Sequence, residues 1–81
     1  MLWVFPRIGI KKTEKQQCEK VAEEIEEFLL AKGQHDKDIE AIDIYHAAET
    51  LLRRRFFNRE DELDALIKQV IKKNRSRGKY C

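Results

Sequence analysis

The chain has 81 residues, 40% of them charged and 42% hydrophobic, with only three glycines and one proline. This excludes an all-β fold, which needs turn residues far more often, and leaves one soluble, folded domain built from helix-forming residues. A net charge of +2, from 17 basic and 15 acidic groups, is too small to imply nucleic-acid binding, and no run approaches the ~20 apolar residues that span a bilayer.

Residues 1–12 read as an extended N-terminal arm, because Pro6 and Gly9 oppose helix. The apolar Met1-Leu2-Trp3-Val4-Phe5 is too short for a secretory signal, and the basic residues follow it instead of preceding it. Its aromatic side chains, Trp3 and Phe5, are expected to pack on the helices or on a partner. The helical core is expected over 13–79. Thr13 is a plausible N-cap, and the first helix runs to about Lys32, with Cys18, Val21, Ala22, Ile25, Phe28 and Leu29 recurring every three or four residues as one apolar stripe. Gly33 is expected in the C′ role, Gln34 and His35 in a short loop, and Asp36 or Asp38 as the next N-cap. The second helix carries Ile39, Ile42, Ile44, Tyr45, Ala48, Leu51, Leu52 and Phe56 in a wide arc, as suits the central member of a bundle. Asn58 is expected to cap the third helix, with Glu60, Asp61 and Glu62 in its first turn favouring the positive end. Leu63, Leu66, Ile67, Val70 and Ile71 share one face of it, and it ends by Gly78.

Connections this short predict antiparallel neighbours. The expected fold is therefore all-α, a compact antiparallel up-down-up bundle of about three helices forming a single domain over 1–81. A core of this size yields only a few kcal/mol, so a second copy is expected to complete it, as a homodimer or a dimer of dimers. Cys18 and Cys81 make neither a disulfide framework nor a metal-ligand spacing, which suits a reducing cytoplasm. Cys18 is expected to serve packing only.

Two acidic groups are placed unusually. Glu24 and Glu27 lie at i and i+3 on the flank of the first apolar stripe, and Glu40 and Asp43 lie at i and i+3 bordering the second. Antiparallel helices would set these pairs opposite each other. Four carboxylates in one groove repel unless a divalent cation neutralises them, and hard oxygen ligands suit Mg²⁺ or Mn²⁺ in preference to zinc. A glutamate run flanked by lysine is otherwise an ordinary solvated helix face.

Glu23-Glu24-x-x-Glu27, twelve intervening residues, then Glu40-x-x-Asp43 resembles the EExxE…ExxD signature of the MazG-like all-α nucleotide pyrophosphohydrolases. The tail Lys72-Lys73-Asn74-Arg75-Ser76-Arg77-Gly78 resembles the KNxxRG-type ending of small members, so the likeness spans about residues 17 to 79. The resemblance implies hydrolysis of a nucleoside triphosphate to the monophosphate and pyrophosphate. By motif position it makes Glu24, Glu27, Glu40 and Asp43 the Mg²⁺ ligands and Glu23 a second carboxylate that orients water, with Glu23 and Glu24 as the catalytic pair. Lys73, Asn74 and Arg77 become candidates for phosphate contact, their alternative being a basic helix end that complements the dipole. The family usually carries a further helix before EExxE, where this chain has only the arm, and the resemblance adds stacking on a base as the alternative to packing for Trp3 and Phe5.

Other residues carry less. Arg53-Arg54-Arg55 is expected to be solvated or at an interface, His46 to be structural although it could approach phosphate, and Tyr45 to be core, while His35 has no evident partner. The competing reading is a non-catalytic helical dimerisation module of the same fold. Binding of nucleic acid by the triple arginine and basic tail is disfavoured by the acidic residues on every helix.

Overall fold

The computed structural model describes residues 3–9 and 11–80. Cys81, whose role was read from its spacing, lies outside them, as do Met1 and Leu2 of the apolar opening. Three helices follow the arm: α1 (Glu14–Leu30), α2 (Gln34–Arg55) and α3 (Glu60–Ser76). No strand occurs among the described residues, and none of the helices is long and apolar enough to cross a membrane.

The α1 start is set by a reciprocal cap. The Gln16 backbone N–H donates to Thr13 Oγ1 at 3.1 Å, and the Thr13 N–H donates to Gln16 Oε1 at 2.9 Å, so two otherwise orphaned donors are satisfied. The other two caps differ from expectation. Gly33 is the N-cap of α2, not the C′ residue of α1, which closes at Ala31. Its φ of 86° and ψ of 155° are essentially open to glycine alone, and they reverse the chain within Ala31–Gly33. Asp36 consequently falls inside the first turn of α2, where it complements the helix dipole without capping. Asn58 is not the α3 N-cap either: it takes a left-handed turn conformation, φ 60°, and the cap is Arg59. The Arg59 guanidinium instead forks onto both oxygens of Glu62, at 2.8 Å each. The left-handed conformation is one that asparagine tolerates better than most residues.

Helices α1 and α2 form the expected antiparallel pair. The third helix does not return alongside them, and no part of α3 packs backbone-to-backbone against either. It is anchored at its root, where Phe56 and Leu63 are buried. Beyond that root an open apolar trough runs between Leu52 and Phe56 of α2 and Leu66, Ile67, Val70 and Ile71 of α3. An up-down-up arrangement is thus corrected to a helical pair with a projecting third helix, because the Phe56–Arg59 turn does not double back.

The buried set also differs from the apolar stripes. Ala47, Phe56 and Leu63 are its apolar members, and Gln17, Glu24 and Glu49 its polar ones. Cys18 is exposed, so it does not serve packing. Tyr45 is 53% exposed, outside the core expected for it. Leu29, Leu30, Ile39 and Ile42 are exposed as well, leaving much of the predicted apolar arc bare within one chain.

The arm supplies covering of its own. Glu49, buried on α2, accepts the backbone N–H groups of Val4 at 3.0 and 3.1 Å and of Phe5 at 2.8 Å. Arg53 Nη2 donates to the Phe5 carbonyl at 2.6 Å, so both backbone polarities of this segment are satisfied from one helix face. The Phe5 ring stacks on His46 at 4.4 Å and meets Tyr45 edge-on at 5.2 Å. Trp3 donates its indole N–H to Glu60 at 3.2 Å, with the Arg53 guanidinium 4.9 Å above its ring. Of the alternatives open for these two aromatics, the structure has them packed on the chain's own helices.

Candidate metal centre

The tight Gly33 turn puts residues equidistant from it at the same height on α1 and α2. Glu24 and Asp43 stand nine and ten positions from Gly33, and Glu27 and Glu40 six and seven. Glu24, Glu40 and Asp43 each bring a carboxylate oxygen to a common point, within 4.8 Å of one another. Glu24 is buried at 7% exposure, whereas Glu40 and Asp43 are half-buried.

The electrostatics are uneven. Lys20, one turn before Glu24, brings its Nζ to 2.9 Å from Glu24 Oε1. This hydrogen bond outweighs burial and, with Glu27 and His46, holds the Glu24 carboxyl below its ordinary range. The same bond to Glu24 pushes Lys20 up. Glu27 moves the other way: the neighbouring Glu24 carboxylate, then desolvation and the charge of Glu40, raise it. The carboxyls at i and i+3 on α1 therefore divide the labour, Glu24 staying ionised and Glu27 holding a proton more readily.

Glu24 Oε2 and Glu40 Oε2 are buried without a hydrogen-bond partner. An orphaned carboxylate oxygen is costly, and two of them on facing helices, beside Asp43, form a donor set that fits a hard divalent cation. Lys20 accounts for one Glu24 oxygen only. Sequence reasoning passed over Lys20, although its i, i+4 spacing to Glu24 was a usable signal.

The remaining candidates are dispersed. Glu27 is exposed beside Glu24, and Glu23 is exposed, 3.6 Å from Lys20 at the rim. His46 lies half-buried beneath Phe5 with its Nε2 unpartnered. His35 is exposed at the start of α2. Lys73, Asn74 and Arg77 stand at the far end of α3, where Asn74 donates to the Tyr80 hydroxyl at 3.4 Å, and α3 does not bring them back to the helical pair. Of the arginine triplet, Arg53 is half-buried and holds the arm, while Arg55 pairs with Glu14.

Compared with known proteins, the chain finds no matching family model and no significant match to a curated protein or a solved structure. The likeness to the MazG-like proteins stays with the motif residues themselves.

Proposed function

We propose that the chain is a cytoplasmic, Mg²⁺-dependent nucleoside triphosphate pyrophosphohydrolase, with Mn²⁺ as a substitute ion, working as a homodimer or a dimer of dimers. The observation that carries this reading is the convergence of Glu24, Glu40 and Asp43 from two helices within 4.8 Å, two of their buried oxygens unpartnered. Glu24, Glu27, Glu40 and Asp43 would hold the ion, which when bound would neutralise phosphate charge and lower the pKa of a water. The carboxylates sit on helices joined by a three-residue turn, so they are presented without loop rearrangement. Lys20 keeps Glu24 ionised at neutral pH, and exposed Glu23, beside Lys20 at the rim, would orient water. Glu27, raised by its neighbours, would ionise as it takes its place on the ion. Lys73, Asn74 and Arg77 would contact substrate phosphates bound by a second copy, since α3 projects away from its own cluster.

The test is a panel of nucleoside triphosphates with Mg²⁺, scored for pyrophosphate and monophosphate. Wild type should release both, and Asp43→Asn should lower turnover at least ~10²-fold, the scale seen when one preorganised charge contact is lost. Absence of pyrophosphate from every common nucleotide would favour a second reading, a non-catalytic helical dimerisation module. The bare apolar side chains Leu29, Leu30, Ile39, Ile42 and Val70 support that alternative.

A further inference from the structure

The arm and the C-terminal half of α2 enclose an open cavity of about 460 Å³, within the range of about 300–1,000 Å³ common for small-ligand sites. Its walls carry five cations: Arg7, Lys11 and Lys12 from the arm, and Arg53 and Arg54 from α2. Among the described residues, no acidic side chain lines it. Of the acids nearby, Glu14 pairs with Arg55 and Glu62 with Arg59, while Glu49 holds the arm backbone and faces Arg53, whose charge it partly offsets. Arg7, Lys11, Lys12 and Arg54 form no ion pair among the described residues.

A basic last turn on α2 complements the helix dipole and needs no ligand to explain it. That does not account for three further cations delivered from a separate segment. They arrive because Glu49 and Arg53 clamp the backbone of Phe5 against α2, which directs Arg7 and the following lysines over the helix. Cations gathered in this way repel one another until an anion joins them. Fork-shaped guanidinium groups beside compact ammonium groups match phosphate oxygens. Phe57, 60% exposed at the wall of the cavity, offers a flat apolar edge to whatever carries the phosphates.

We propose that this cavity binds the polyphosphate group of a small anion, either inorganic or attached to a nucleoside. The site is separate from the carboxylate cluster and does not depend on a cation being bound there. The probe is inorganic tripolyphosphate, titrated by calorimetry and by amide chemical shifts in divalent-free buffer at low ionic strength. Binding should be saturable, with shifts centred on Arg7, Lys11, Thr50 and Arg54. Lys11→Gln and Arg54→Gln, both at exposed positions, should each weaken it about tenfold, the loss of one charge-assisted hydrogen bond. Asp43→Asn should retain binding, so that failure of the metal reading leaves this one standing. Lys68→Gln with Lys72→Gln, at exposed positions of α3, changes the net charge at least as much and should leave affinity within twofold. ATP binding more tightly than tripolyphosphate would identify the nucleotide as the source, and equal affinity the inorganic anion. The proposal is overturned if tripolyphosphate does not saturate, or if the α3 variant weakens it as much as Arg54→Gln does. A single-stranded oligonucleotide that outcompetes tripolyphosphate would equally overturn it, by assigning the surface to nucleic acid.

Discussion

Replacing Asp43 by asparagine tests the carboxylate cluster without altering side-chain shape. Three carboxylate oxygens lie within 4.8 Å of one another; two unit charges at that outer separation repel by about 3.5 kcal/mol at an effective dielectric constant of ~20, and Asp43 takes part in two of the three pairs. Water at half-buried Asp43 and the Lys20 ammonium 2.9 Å from Glu24 dissipate most of this. The relief expected from Asp43→Asn is then about 1–2 kcal/mol in the absence of divalent ions, and each kcal/mol raises Tm by about 4–8 °C in a domain of this size. Magnesium acts in the opposite sense. At a hundredfold excess over its Kd it stabilises wild type by about 2.7 kcal/mol, a gain the variant forfeits in large part. Melting curves followed by circular dichroism should therefore exchange order, the variant melting higher in chelator and wild type higher in Mg²⁺. If Asp43→Asn melts lower in chelator, or if wild type is indifferent to Mg²⁺, the three carboxylates are a structural feature and the reasoning fails.

Burial works against the Glu49 charge, but the N–H groups of Phe5 and Val4, then Arg53 and His46, hold its carboxyl below the ordinary range. Its hold on the arm is accordingly complete above the ordinary carboxylate pKa and lost as pH falls through the lowered value. Trp3, the single tryptophan, should shift its emission to the red on such acidification, and Glu49→Gln should produce that shift already at neutral pH; unchanged emission in the variant would discount the clamp. Gly33→Ala forces a side chain into φ 86° and should cost about 1–3 kcal/mol in chemical denaturation, whereas Gly9→Ala, in open space without positive φ, should cost far less; equal effects would refute the conformational argument. Val70→Asp on the bare face of α3 should turn a wild-type dimer into monomer in sedimentation, and a wild type that is already monomeric at micromolar concentration would remove the oligomer from the proposal.

The parts of the structure that depend on near neighbours were legible in the sequence. The Thr13 cap needs only Gln16, and Glu24 needed only helical spacing and a tight turn to converge with Glu40 and Asp43, while Glu27, expected beside them, stays exposed outside the group. The misreadings arise where competing local preferences had to be decided by geometry. Gly33 suits either end of a helix, and Asn58 suits a cap or a left-handed turn; the direction in which the chain must leave each helix decides between them. The clamp was illegible for a different reason, since Glu49 and Phe5 are 44 positions apart and a glutamate amid α2 resembles any solvated one. The apolar side chains of α3 announce a buried face but not which surface buries it, so their periodicity could not distinguish return to the helical pair from projection away from it.

The projection of α3 also bears on how the protein responds to dilution. A 17-residue helix buried at its root and carrying a bare apolar side is near the length at which isolated helices are marginal in water. If a second copy covers that side, the ellipticity of α3 becomes a binding isotherm: helix content falls along with assembly, while the α1–α2 pair, closed on itself by Gly33 and the arm, keeps its own. Amide exchange would then divide the chain at Asn58, slow and concentration-independent before it, faster and dependent on protein concentration after it.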